Sequence, residues 1–126
     1  MEVFEVTKKP ATKLIGQEAE KVAANYLKAH GLKHIKSNFS CKYGEIDLIM
    51  QHKDYLVFVE VRYRKHHQFG NGADSVNFHK QQKILKSAEF FLQQHVRYNQ
   101  HPCRIDVVSI GPGKNDISWI ANAVEA

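Results

Sequence analysis

The chain has 126 residues, with 18 Lys and Arg against 13 Asp and Glu, a formal net charge of +5 and a pI near 9.2. At 43% hydrophobic and 25% charged it reads as one globular domain over residues 1–126, large enough to need neither a disulfide framework nor a structural metal. No apolar stretch approaches the roughly 18 residues of a membrane span, and Met1-Glu2-Val3-Phe4-Glu5 carries acids where a secretory signal carries cations, so the expected address is the cytoplasm with no membrane partner.

Residues 1–11, with Lys8-Lys9-Pro10, read as a mobile basic arm or an edge strand. From Thr12, a candidate N-cap, Leu14, Ile15, Ala19, Val22, Ala23, Tyr26 and Leu27 recur at helical spacing, and Gly31 supplies the stop. Leu32 to Phe39 alternates loosely as a first strand, and Asn38 to Lys42 turns the chain. Tyr43 to Met50 and Tyr55 to Arg62 are strand-patterned runs around Gln51-His52-Lys53-Asp54, a hairpin.

Arg64 to Asn77 contains Gly70, Asn71 and Gly72 and is long for a loop in so short a chain, which marks it as a functional-loop candidate. Ser75 or Asn77 caps a second helix whose apolar stripe is Ile84, Leu85, Ala88, Phe91, Leu92 and Val96. Cys103 to Ile110 is a buried-type strand, 111–115 a turn, and Ile117 to Ala121 a last strand. Helix, three strands, helix and two strands imply an α/β or α+β sheet covered by helices. Cys41 and Cys103 stand apart from any metal-ligand spacing and read as buried or half-buried reduced thiols. The eight histidines are scattered, without a chelating set. The basic balance favours an anionic partner such as nucleic acid.

The hairpin carries the chemistry. A turn centred between Lys53 and Asp54 pairs residues whose numbers sum to 107, which puts Asp47 across from Glu60, Ile49 across from Phe58 and Glu45 across from Arg62. Ile46, Leu48 and Met50 then share a core face with Val57, Val59 and Val61. Two carboxylates facing each other repel unless a cation lies between them, and hard oxygen ligands suit Mg²⁺ or Mn²⁺. The alternative is an ordinary solvated pair on the wet side of the sheet. Glu18 and Glu20 on the first helix offer a further acid, with Glu20 the nearer to the packed side.

Gly16-Gln17-Glu18-Ala19-Glu20, Gly44-Glu45-Ile46-Asp47-Leu48-Ile49, Phe58-Val59-Glu60-Val61-Arg62-Tyr63-Arg64, Phe69-Gly70, Lys80-Gln81 and Arg104-Ile105-Asp106-Val107-Val108 occur in this order. Together they resemble the bacterial YraN family, over about Leu14 to Ala121. That family is placed with the restriction-endonuclease-like, Holliday-junction-resolvase-like nucleases. The resemblance implies an αβββαβ core with a mixed central sheet flanked by helices, and a nuclease hydrolysing phosphodiesters in DNA, at branched or single-stranded structures. It also implies one or two Mg²⁺ ions, with Mn²⁺ as substitute, held by Glu20, Asp47 and Glu60, and a homodimer as one assembly.

Arg62 stands where the superfamily pattern has a lysine. Lysine can lose a proton when buried, whereas arginine stays charged and serves to neutralise phosphate or transition-state charge. Lys80 or Lys83 then becomes the candidate ammonium at the site. Arg64, Lys65, Lys80 and Gln81 are the expected nucleic-acid contacts, and Tyr63 or Phe69 a stacking surface. Asp106, among apolar neighbours, reads as structural. A binding module of the same fold without turnover is the second reading.

Overall fold

The computed structural model describes residues 8–64, 78–113 and 116–124. Helix α1 spans Lys8–Ala29 and helix α2 Phe78–Gln94. The strands are β1 Lys33–Cys41, β2 Gly44–His52, β3 Tyr55–Tyr63, β4 Cys103–Ile110 and β5 Ile117–Val124. They form one five-stranded sheet in the order β1-β2-β3-β4-β5. Only β3 and β4, joined through α2, run parallel, and the other neighbours are antiparallel. This is the expected α/β arrangement, a mixed sheet with helices on both faces.

α1 starts at Lys8, before the expected cap at Thr12. Pro10 lies in its first turn, where a missing backbone N–H costs nothing. Part of the expected basic arm is therefore helix, and residues 1–7 lie outside the described residues. Ala19, Ala23 and Leu27, spaced by four, are buried with Ala24, and these small side chains let the helix lie close on the sheet. Gly31 ends it at φ +95: its N–H reaches the Lys28 carbonyl at 3.0 Å and the Leu32 N–H reaches that of Leu27 at 3.1 Å. A Cβ is disfavoured at that positive φ.

The hairpin turn is two residues, Lys53 and Asp54, shorter than the four expected, but its centre is the same. The ladder keeps the expected sum of 107 from Leu48–Val59 to His52–Tyr55. The wet face of the alternative reading does not exist at this hairpin. Ile49 and Phe58 are buried with Phe39, Ile46, Ile84, Ala88 and Phe91 beneath α2, while Leu48, Met50, Val57 and Val59 pack under α1 with Ala19, Ala23 and Leu27. The β3–α2–β4 crossover lays a helix over the second face, as parallel strands require. Each large side chain so buried contributes about 1.5–3 kcal/mol. Ile46 departs from its expected face, because it packs under α2 rather than with Leu48. The strand therefore changes face at Asp47. Val96, expected in the α2 stripe, is 66% exposed in the 3-10 turn Val96–Tyr98. Both cysteines are free thiols, Cys41 half-buried and Cys103 exposed, the latter against expectation.

Asp106 is wholly buried in the core of the sheet. Its carboxylate accepts the Arg104 Nε–H at 3.0 Å, the Trp119 indole N–H at 2.9 Å and the Asn122 backbone N–H at 2.8 Å. The Arg104 guanidinium also meets His52 Nδ1 at 2.9 Å. A buried charge needs such partners, and here they join β2, β4 and β5, the structural role the sequence suggests.

Candidate functional site

Beyond Leu48–Val59 the β2–β3 ladder stops, and Asp47 does not complete a pair with Glu60. The Val61 backbone N–H instead donates to the Asp47 carboxylate at 2.8 Å. On the other side of β2 the pairs Ser37–Leu48 and Phe39–Ile46 bracket Asn38, whose φ is +55. Asparagine tolerates this left-handed conformation better than most residues. The irregularity lies where Ile46 changes face. Glu45 accordingly does not meet Arg62: it faces Ser40 across β1, whose hydroxyl donates to it at 3.4 Å.

Four acids crowd this point. Burial first, then the charge of Glu60, push the Asp47 carboxyl up to about 7. The Val61 amide opposes that shift, and Glu20 and Glu45 add to it. Glu20, on α1, is also raised, chiefly by burial and further by the charges of Glu45 and Glu60, while hydrogen bonds with the side chains of Asn38 and Asp47 counter the rise. The resemblance's three acids, Glu20, Asp47 and Glu60, are therefore neighbours in space, and Glu45 and Asn38 join them. The break in alternation between His34 and Ser37 coincides with the register shift of β1 between His34 and Lys36; the left-handed Asn38 gave no sequence signal.

Cations close the other side. Glu60 is buried, 9% exposed, with the Lys80 ammonium at 2.8 Å and Arg62 Nη2 at 3.6 Å. The second distance is too long for a hydrogen bond. Nε and Nη2 of Arg62 are buried without an acceptor. Gly44, Glu45, Asp47, Glu60, Lys80 and Lys83 line one cleft of about 380 Å³ between β2, β3 and the start of α2. Lys80 thus stands beside the acids, with Lys83 on the same wall. Gln81 is half-buried on α2 and does not line the cleft. Tyr63 is 44% exposed at the end of β3.

Arg64 is committed elsewhere. Its Nε–H donates to Ser109 Oγ at 2.9 Å and Nη2 pairs with Asp116 at 2.9 Å, with the side chain only 15% exposed. It ties the end of β3 to β4 and β5 rather than offering a free cation beside the acids. Lys65, Phe69 and the Gly70–Gly72 loop lie outside the described residues. Among the described residues no three acid, histidine or cysteine side chains converge as ligands of one ion, and Glu60 is turned to Lys80. Among them, too, no helix is long and apolar enough to cross a membrane.

Relatives cover almost the whole chain. A protein of Stutzerimonas stutzeri is 49% identical over 113 residues, 88% of this chain and 94% of its own length. One from Ectopseudomonas mendocina is 44% identical over 89% of this chain and 95% of its own length. A third, from Legionella pneumophila, is 44% identical over 88% and 94% respectively. All three are named only as UPF0102 proteins. The model of the uncharacterised protein family UPF0102 matches residues 19–110, which hold the acid cluster and all of β1 through β4, and the chain belongs to that family.

Proposed function

We propose that this UPF0102 protein is a cytoplasmic Mg²⁺- or Mn²⁺-dependent nuclease of the restriction-endonuclease-like kind, in the YraN group, hydrolysing phosphodiesters in DNA at branched or single-stranded structures. The observation that carries the reading is the acid cluster itself: Asp47, pushed up to about 7 by burial and by Glu60, Glu20 and Glu45, in a cleft shared with Lys80 and Lys83. Crowded carboxylates of this kind are relieved by a cation, and perturbed groups in a cleft mark functional sites.

The donor chemistry suits a hard divalent ion, since Glu20, Asp47 and Glu60 offer carboxylate oxygens and no soft ligand competes, although the three do not converge as the chain stands. Glu60 would exchange the Lys80 ammonium for the ion. When bound, the ion supplies Lewis acidity at a phosphate oxygen and lowers the pKa of a water. The chain's own groups do the rest. Asp47 must ionise to serve, so the ion competes with a proton there and binds better as pH rises. Arg62, with buried Nε and Nη2 lacking acceptors, would donate to a non-bridging phosphate oxygen, and Lys80 and Lys83 would offset charge developing in the transition state.

Titration of Mn²⁺ into the wild type by calorimetry, beside Asp47→Ala and Glu60→Ala, tests the site. Binding lost in both variants, with cleavage of branched or single-stranded DNA lost in Asp47→Ala, is the expected result. Unchanged cleavage by Asp47→Ala in a nuclease-free preparation overturns it. The second reading, a DNA-binding module without turnover, rests on Arg62 in the lysine position and on the ammonium already paired with Glu60. It predicts DNA binding without Mn²⁺ binding.

A further inference from the structure

A second polar cleft, about 440 Å³, runs between α1 and the sheet's edge strand β1. Gln17, Lys21, Asn25 and Lys28 line it from the helix, and Ser37 and Asn38 from the strand. The helical residues fall in successive turns, so they form one stripe along α1. The buried Ala24 lies among them, and its small side chain leaves the cleft open.

The cleft ends at the acids. Glu20 lines it, with the side chains of Asn38 and Asp47 near enough to offset part of the rise that burial gives its carboxyl. Asn38 belongs to both places: it lines the cleft, and its backbone, at φ +55, sits opposite Asp47 between the pairs Ser37–Leu48 and Phe39–Ile46. Energetically unusual backbone of this kind gathers at functional sites. The two clefts thus meet at Glu20 and Asp47, one on each side.

The chemistry along the cleft suits a phosphate backbone rather than bases. Lys21 and Lys28 are seven residues apart, about 10.5 Å along a helix. That is about the axial rise of three nucleotides in one strand. Between them lie amides, a hydroxyl and the imidazole of His34, which is hydrogen-bonded to Ser37 Oγ at 2.8 Å. Among the described residues Ala24 is the one apolar side chain in the lining and His34, tied to Ser37, its one aromatic ring, so no Phe, Tyr or Trp platform offers base stacking.

We propose that this α1–β1 cleft holds the sugar-phosphate backbone of the strand to be cut, on one side of the acid cluster, with Lys21 and Lys28 as sequence-independent phosphate contacts. The inference rests on the nuclease reading for the meaning of the strand's far end. Its binding test does not require turnover.

The test is fluorescence anisotropy with a labelled single-stranded DNA in EDTA, and with RNA of the same sequence, across a range of salt. Lys21→Glu with Lys28→Glu is compared with Lys33→Glu plus Lys53→Glu, an equal charge change at exposed positions outside the cleft. The cleft pair should weaken binding at least tenfold, and lower the slope of log affinity against log salt by about 1.4, two contacts at roughly 0.7 each. The control pair should bind within threefold of wild type. Equal losses in both pairs, or no loss in the cleft pair, overturn the proposal. Loss confined to the cleft pair in a protein that binds no Mn²⁺ and cuts nothing leaves the cleft standing and overturns the nuclease. Cleavage by the wild type with unaltered binding by the cleft pair does the reverse.

Discussion

The Asp47 carboxylate accepts the backbone N–H of Val61, fourteen residues on, at 2.8 Å. It takes the place of a strand carbonyl where the β2–β3 ladder has ended at Leu48–Val59. One side chain is therefore both a clasp between two strands and the most perturbed acid of the candidate site. The backbone bond favours the charged form, yet burial and three neighbouring acids outweigh it.

Asp47 makes stability depend on pH. Its carboxyl is raised from an ordinary 3.8 to about 7, so between those values the folded chain holds a proton that the unfolded chain has released. This group's contribution to stability is therefore full below about pH 4, falls as pH rises, and levels off above about pH 7. Asp47→Asn keeps an oxygen for the Val61 N–H and removes the charge. Urea unfolding at pH 5 and pH 8 should show a larger loss between the two for wild type than for Asp47→Asn, by at most a few kcal/mol.

Lys80→Met leaves Glu60 with Arg62 at 3.6 Å as its remaining cation. Because the Lys80 side chain is 41% exposed, solvent screening holds the expected loss to about 1 kcal/mol. On the metal-site reading, millimolar Mn²⁺ should restore more stability to this variant than it adds to wild type. Thermal melts with and without Mn²⁺ measure the difference, and equal gains would count against competition between lysine and metal at Glu60.

Asp106→Ala should be far more damaging. It strands the Arg104 guanidinium and the Trp119 indole N–H, both paired with a fully buried carboxylate. Removing one partner of a buried ionic network costs about 3–5 kcal/mol. Differential scanning calorimetry should register a fall in Tm of about 10 °C or more. A fall under about 3 °C would show that the network carries little of the fold.

Gly111→Ala tests the clasp at Arg64. The Asp116 carboxylate occupies the place that a Cβ on Gly111 would take, and Arg64 Nη2 lies 3.1 Å from that place. The extra methyl must displace Asp116 from Arg64, at about 1–3 kcal/mol of overpacking. Denaturant midpoints of Gly111→Ala, with Asp116→Ala as a second variant, should both fall. Their effects in the double variant should sum to less than the two alone, because one contact is lost in both.

Local pattern was enough for much of this molecule. The strand-patterned run Tyr55 to Arg62, the buried-type run Cys103 to Ile110, four-residue spacing in Ala19, Ala23 and Leu27, and a turn centre at Lys53–Asp54 depend on local composition, backbone periods and turn geometry. These are properties of neighbours in the chain, so the hairpin register and the position of β4 were legible in the sequence. The three acids of the site were legible as candidates, Glu20 by resemblance and Asp47 and Glu60 by their places on the hairpin, although the ladder ends before the pairing expected of them.

What the sequence by itself determined is the set of elements and the residues offered to each face. Tertiary structure alone decided how those faces were used. Whether Ile49 and Phe58 met water or a helix depended on where the β3–α2–β4 crossover laid α2. Whether Arg64 met phosphate or protein depended on Asp116, fifty-two residues away, and the pairing of Glu60 with Lys80 came from the same docking of α2. The change of face at Ile46 arose where the left-handed Asn38 stands opposite Asp47 and the β2–β3 ladder ends. The physical reason is common to all four: chain-local energies set periodicity, but burial and charge pairing are settled between segments that meet only when the chain has closed on itself.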